Sequence, residues 1–359
     1  PTPSAILAKA SLMNIALGVL SGGALKNMTI VESSIDKSYA TAVADIRVFL
    51  GEEKMRALHQ PNPVADAGTI VGLYALSLSV LFACFHTDDW FLLITLAIAQ
   101  GVVFQLFGLV NHEFFVHRKV GGRFSYPLSV VFAAPIQLSA TRYADAHRAH
   151  HKYVGGSDDA EAYKTDLDTR TKKLLFTTAV GTKLAASGKM GVGRAPYFKL
   201  RRPTEIVKRR AALERGIAIA LTVGALMATL FHPIPMLFGY ILPVVVVLPF
   251  LNAIRILIEH ADVQRGNPYA VASRFRCGVM EDILFLCDSG EYHLIHHFLP
   301  NVPFYRMREA RRALNPFFDE KGVIKTSGWP RLLFDWFVQN KKHGDWWGFD
   351  RSRQAASRT

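Results

Sequence analysis

Two pairs of long apolar runs stand out along the chain against a basic, polar background. The first run extends from about Thr69 to Phe85, through Val71, Leu73, Leu76, Leu78 and Leu81. His86-Thr87-Asp88-Asp89-Trp90 breaks it, and a second run continues from Phe91 to Val110. The second pair covers roughly Ile217–Phe231 and Met236–Ile258, divided by His232-Pro233-Ile234-Pro235. As helices rising about 1.5 Å per residue, these runs are about long enough to cross a hydrocarbon layer near 30 Å thick. The connections within each pair are short and carry no Lys or Arg. Each pair therefore reads as a transmembrane hairpin.

The segments outside the hairpins hold the positive charge. Arg118, Lys119 and Arg123 follow the second run, and Lys199, Arg201, Arg202, Lys208, Arg209 and Arg210 precede the third. Basic residues favour the cytoplasmic side, which turns both hairpin tips away from it and leaves both termini inside. The predicted fold is all-α and integral to a membrane, the bacterial inner membrane or its equivalent. It has four transmembrane helices in two hairpins, with a cytoplasmic helical cap.

Three units follow from this pattern. Residues 1–68 form N-terminal helices, with an interfacial amphipathic one over Ala5–Val19 and a charged surface one over Asp45–Leu58. Residues 69–315 form the membrane body. Within it, Pro127–Leu138 is too short to span and suits a re-entrant or buried helix. A polar insert occupies 152–212, where Gly188, Gly191 and Gly193 suggest a loop but lack the strand and spacing of a phosphate-binding turn. Residues 316–359 form a tail whose Trp329, Trp336, Trp346 and Trp347, among Lys341 and Lys342, suit a headgroup-level helix or a soluble cap.

Composition agrees with the membrane reading: half the residues are hydrophobic, yet the formal net charge is +13. The charge follows topology, and no nucleic-acid partner is expected. The three cysteines, Cys84, Cys277 and Cys287, have no paired spacing, so free thiols are expected. The first residues lack the basic and apolar regions of a cleaved signal peptide.

Thirteen histidines are present, and nine fall into four groups just beyond the ends of the apolar runs. These are His112 and His117; His147, His150 and His151; His260; and His293, His296 and His297. The spacing H-x-x-H-H occurs twice. An α-helix turns about 100° per residue, so positions i, i+3 and i+4 share a face and present three imidazoles together. His112 and His117 are five apart, which on an α-helix makes them diverge as if toward different metals. That spacing is not H-E-x-x-H, which argues against a single-zinc peptidase. Imidazole suits Zn, Cu, Fe and Ni. Nine ligands are too many for one four-coordinate zinc and suit two irons of higher coordination. A membrane metal-binding or transport protein is the alternative of another class, but transport would place ionisable residues at mid-depth in the spans. Glu113, Asp145, Glu259, Asp262 and Glu291 lie near the histidines and can accept imidazole N–H groups, or serve as ordinary caps.

H-x4-H after a second span, H-x-x-H-H about thirty residues on, and H-x-x-H-H after a fourth span resemble the membrane fatty acid desaturase and hydroxylase superfamily. Arg255…Glu259-His260 resembles the extra histidine element of that family. His147-Arg-Ala-His150-His151-Lys-Tyr-Val-Gly, Asp166-Leu-Asp168-Thr169 and His296-His297-Phe-Leu-Pro-Asn301-Val-Pro303 are similar to its sphingolipid desaturase branch. The resemblance covers roughly residues 69–315.

It implies a non-haem di-iron centre held by the nine histidines, with O2 as co-substrate. The expected reaction is oxidation of an unactivated C–H bond in a fatty acyl chain, with desaturation first among the outcomes. Hydroxylation shares the chemistry, and some bacterial members with these boxes form terminal alkenes from free fatty acids by oxidative decarboxylation. Arg142, Arg148, Lys152 and Arg255 are candidates to hold an acyl carboxylate or phosphate, or to face anionic membrane lipid. No flavin, iron–sulfur or fused cytochrome signature occurs, so a separate donor is implied. A ferredoxin or a cytochrome b5 type with its reductase fits the basic face.

Overall fold

The computed structural model describes residues 29–154, 167, 169–186, 204–260, 267–326 and 328–339. Every regular element among them is helical. In chain order these are α1 (Thr29–His59), bent at Gly51, α2 (Pro63–Cys84), and α3 (Trp90–Val110), which runs into a π-helical turn at Asn111–His117. Next come α4 (Ser125–Ala133), α5 (Ala140–Tyr153), α6 (Arg170–Phe176), α7 (Ala179–Ala186), α8 (Glu205–Phe231) and α9 (Pro233–Glu259). The last are α10 (Val279–Leu284), α11 (Glu291–Phe298), α12 (Met307–Glu320) and α13 (Trp329–Phe337).

Among the described residues, four helices are long and apolar enough to cross a membrane: Pro63–Cys84, Trp90–His117, Glu205–Phe231 and Pro233–Glu259. Polar caps set where three of them begin. Asn62 accepts from the N–H groups of Val64 and Ala65, Asp89 from Leu92 and Thr204 from Val207. These side chains satisfy donors that a helix start leaves open. The first and third helices begin earlier than their apolar runs, because their polar first turns are capped and helical too.

α3 is the central span, more than half buried, with α2 and α9 packed along it. A β-carbon on Gly101 would stand 2.2 Å from Val247 Cγ1, so α3 and α9 approach closely only because that position is glycine. Opposite Gly101, α9 is widened by π turns at Leu237–Ile241 and Pro243–Val247. Pro243 has no N–H to donate, which breaks the regular ladder there. α2 and α8 turn Val71, Phe82, Leu230 and Phe231 outward, exposed. Such apolar faces on long helices with satisfied backbones suit lipid.

The connection between α2 and α3 and that between α8 and α9 lie side by side, with the Phe85 and His232 rings 5.2 Å apart. The histidines emerge at the other end of α3 and α9. There α1, α11, α12 and α13 build the largest core cluster, with Ala42, Ile46, Leu294, Ile295, Phe298, Leu314, Phe317, Leu332 and Trp336 all buried. Burying a side chain of this size contributes about 1.5–3 kcal/mol.

This packing changes two expectations. The helix through Asp45–Leu58 is not a surface helix, because one face inserts Ala42, Ile46 and Leu58 into the core. The tail helix α13 is docked rather than laid on a surface: Trp336 is buried, and the fully buried Lys173 donates to its carbonyl at 2.9 Å. α4 is short and buried along one face, as its length predicts, and Asn111 and Ser129 exchange hydrogen bonds of 2.8 and 3.0 Å across it to α3. Ala5–Val19, the glycines at 188, 191 and 193, and Trp346 and Trp347 lie outside the described residues.

Candidate metal centre

Four chain segments deliver the nine histidines to one place. α5 presents His147, His150 and His151 near its last turn, and its first turn is held by Glu214 of α8. That carboxylate accepts from Ser139 Oγ at 2.5 Å and from Thr141 N at 3.2 Å. α11 carries His293, His296 and His297, and every residue of this helix is buried. Gly290 starts it with φ of 54°, where a β-carbon would meet the Phe275 carbonyl oxygen at 2.5 Å. His260 ends α9, and its Nδ1 lies 2.9 Å from the Val271 carbonyl oxygen.

His112 and His117 sit on the π-helical turn, and here the α-helical expectation fails. Backbone pairing from i to i+5 brings residues five apart back over one another. The two rings meet edge to face at 5.0 Å instead of diverging. Both belong to the same set.

The nine sort into two adjoining sets. His112, His117, His147, His151 and His296 bring ring nitrogens within 4.8 Å of one another. His150, His260 and His297 form a second group, and His293 joins it by facing His260 and His297. The sets touch where the rings of His151 and His297 stack at 4.7 Å.

The nitrogen geometry fits metal ions. In the first set, His112 Nε2 lies 2.8 Å from His147 Nε2, which lies 2.9 Å from His151 Nε2; His151 Nε2 lies 3.1 Å from His296 Nε2. In the second, His293 Nε2 lies 3.2 Å from both His260 Nε2 and His297 Nε2. Two ligands at about 2.1 Å from one ion and at right angles stand about 3.0 Å apart, so these spacings match those between neighbouring ligands of one ion. The tautomers, assigned from their acceptors, sharpen the case. His260 Nδ1 faces a carbonyl and His293 Nδ1 lies 3.1 Å from Asp288 Oδ1, groups that only accept. With Nδ1 of each ring turned to an acceptor, the two Nε2 atoms face each other at 3.2 Å, placed to share one cation. His117 Nε2 is buried without a hydrogen bond. Burial, reinforced by neighbouring imidazoles, holds His151, His296 and His297 well below the ordinary histidine range, which keeps them neutral and able to ligate.

The acids divide differently from expectation. Glu113 and Glu291 do not serve imidazoles. Glu113 accepts from Arg118 at 3.0 Å and from Phe304 N at 3.2 Å, and Glu291 lies 3.6 Å from Arg311. Buried next to a fixed guanidinium, each carboxylate takes the stronger charged partner. Glu259 is buried, ion-paired to Arg255, and 3.7 Å from His293 Nδ1. Asp145 is half-buried on α5, and Asp262 lies outside the described residues.

Among the candidate substrate cations, Arg255 is corrected. It is buried between Glu259 and Asp288, with Nη2 2.7 Å from Asp288 Oδ2, so its charge is already neutralised. Arg142, Arg148 and Lys152 are exposed. Lys152 borders a groove of ≈ 460 Å³ with Tyr39, Val43 and Arg47.

Asp288 is the site residue that motif reading missed. It stands five positions before His293 on a turn rather than in a histidine box. The only local signal was an acid two residues before Gly290. Burial alone would raise its carboxyl, but Arg255 and the surrounding imidazoles overcome this and hold it well below the usual carboxylate range. Beside it, Leu109, Leu286, Cys287, Phe304 and Met307 line a small cavity reaching His112 and His296.

Residues 88–329, about two thirds of the chain, match the model of the family described as fatty acid desaturase. A sphingolipid delta(4)-desaturase of Drosophila melanogaster is 26% identical over 301 residues, covering 78% of this chain and 82% of the relative. An sn-1 acyl-lipid omega-3 desaturase (ferredoxin) of Synechocystis is 24% identical over 280 residues, 71% of this chain and 74% of the relative. A chloroplastic omega-3 fatty acid desaturase of Glycine max is 23% identical over 286 residues, 71% of this chain and 60% of the relative.

Proposed function

The chain belongs to the fatty acid desaturase family, and from that premise we propose that its nine histidines hold two irons at which O2 oxidises an unactivated C–H bond of a fatty acyl chain, giving desaturation. Family and relatives make it an oxidoreductase acting in desaturation-type chemistry at a membrane. The ligand assignment and the acyl substrate are our reading. The observation that carries it is the pair His260 and His293, whose Nε2 atoms face each other at 3.2 Å while their Nδ1 atoms are turned to acceptors.

His112, His117, His147, His151 and His296 would hold one ion, and His150, His260, His293 and His297 the other. When bound, the irons would activate O2, the oxidant, with electrons from the separate donor, a chemistry that no side chain has. The chain's own residues bind, orient and shield. The Val271 carbonyl and Asp288 keep the rings of His260 and His293 turned with Nε2 inward. Arg255 balances the charges of Asp288 and Glu259. Leu109, Leu286, Phe304 and Met307 pack beside His112 and His296 and limit the access of water to the histidines there.

The four spans are read as two hairpins whose tips, at Phe85 and His232, face away from the cytoplasm, with the histidines and both termini on the cytoplasmic side. The relative named for ferredoxin supports a separate electron donor of that kind, and a cytochrome b5 type with its reductase is the other candidate. Metal transport gains no support. At mid-depth between α2 and α3 the buried polar contact is the neutral pair Gln100 and Ser77, at 2.7 Å.

Two measurements test the reading. Metal analysis of purified protein is expected to give two irons per chain, and a single zinc would overturn it. Supplying fatty acids, a reducing system and O2, then identifying products by mass spectrometry, is expected to show loss of two hydrogens. Gain of one oxygen or loss of CO2 would assign hydroxylation or oxidative decarboxylation instead.

A further inference from the structure

One carboxylate stands between the two histidine sets. Asp288 Oδ2 lies 3.1 Å from Nδ1 of His112, a buried nitrogen that otherwise meets no acceptor and here stands within reach of the carboxylate without a well-aligned hydrogen bond. Its other oxygen, Oδ1, lies 3.1 Å from Nδ1 of His293. His112 belongs to the five-histidine set and His293 to the other. Arg255 Nη2 donates to Oδ2 at 2.7 Å.

The backbone that delivers this carboxylate is unusual. Leu286 and Cys287 have φ of 48° and 53°, two successive side-chain-bearing residues in the left-handed region. Such residues adopt that conformation only where the surroundings enforce it, and they cluster at functional sites. The turn is closed by Asp288 N donating to the Phe285 carbonyl at 2.7 Å.

We propose that Asp288 is a positioning residue shared by the two metal subsites. By accepting an N–H from one ligand of each, it sets both rings with Nε2 inward and ties the geometry of one ion to that of the other. The inference rests on the two-iron reading above.

The arrangement is asymmetric, which gives the test its direction. An amide in place of the carboxylate has one accepting oxygen and one donating nitrogen. A guanidinium only donates, so Arg255 draws the amide oxygen to the Oδ2 position, where it still serves His112. The NH2 then falls opposite His293 Nδ1–H, donor against donor. The set built from His150, His260, His293 and His297 is the one disturbed.

The experiment loads wild type and Asp288→Asn with 57Fe in detergent, checks helix content by circular dichroism, and reads iron content and Mössbauer spectra without turnover. Wild type is expected to hold two irons, and Asp288→Asn to fall toward one, with one quadrupole doublet retained and the other lost or broadened. Two irons with the wild-type spectrum in Asp288→Asn would overturn the inference alone, as would equal loss of both irons. A single metal in wild type would overturn the two-iron reading and the inference together. Asp288→Glu keeps the charge Arg255 needs but is one methylene too long to meet both rings. It is expected to fold and to lose iron from at least one set; two unperturbed irons in it would equally overturn the shared role.

Discussion

His112 and His117, five residues apart, stand edge to face with ring centroids 5.0 Å apart on a single π-helical turn. Regular α-helix would separate them by about 140°. The widened turn restores one face, and π turns inside helices frequently mark functional sites for this reason. Inserting one alanine between Val116 and His117 is expected to swing His117 out by about 100°. The five-histidine set would then lose its metal while the other set keeps one. Iron content read by inductively coupled plasma analysis checks this, and two irons in the insertion variant would contradict it.

Removing the metals should destabilise the fold around the centre, because clustered imidazole nitrogens such as Nε2 of His260 and His293 lose the cation that holds them together. A ligand at a thousand times its dissociation constant contributes about 4 kcal/mol to stability. Thermal melting in detergent before and after chelation should show a lower Tm for the metal-free protein. An unchanged Tm would mean that the folded histidines gain nothing from metal.

Acid should destabilise the metal-free protein. Burial depresses His151, His296 and His297 well below 6.5, so between their folded values and about 6.5 the unfolded chain binds more protons than the folded one. Stability therefore rises with pH in that window. It is complete above about 6.5 and falls as pH drops below it, by up to about 1.4 kcal/mol per pH unit for each group. Chemical denaturation of the metal-free protein from pH 5 to 8 checks the sign; greater stability at pH 5 would refute it.

Arg255 and Arg142 should respond in opposite ways. Arg255→Ala strands the buried Asp288 and Glu259 carboxylates, and breaking such a buried pair costs about 3–5 kcal/mol. Arg142 is exposed on α5, so Arg142→Ala should change stability by less than about 0.5 kcal/mol. If Arg142 meets the acyl head group, its loss appears in KM with kcat retained. Melting curves with steady-state kinetics separate the two, and a stable Arg255→Ala protein with raised KM would return Arg255 to substrate binding.

Gly101→Leu should separate the central helices. A β-carbon there already overlaps Val247, and overpacking of this kind costs about 1–3 kcal/mol or more. Gly68→Leu, on the open face of α2, should be neutral by comparison. Equal melting temperatures for the two variants would show that the α3–α9 contact is loose.

The spans and the nine histidines were legible in the chain alone because both are local properties. An apolar run declares its length, and H-x-x-H-H declares a shared helical face, whatever it later packs against. The expectation for His112 and His117 failed because a π turn is not declared by spacing; the turn that continues α3 packs against α4 and α5, elements that lie later in the chain. The helix through Asp45–Leu58 read as a charged surface helix, and nothing in its sequence declared that it packs with α13 into the core at the histidine end of α9. Only the tertiary structure sorted the histidines into sets of five and four, gave Arg255 to buried carboxylates rather than to substrate, and brought Asp288 between His112 and His293. Those outcomes depend on which distant side chains compete for the same buried charge, and a burial free energy of that kind belongs to the packed site, not to any stretch of sequence.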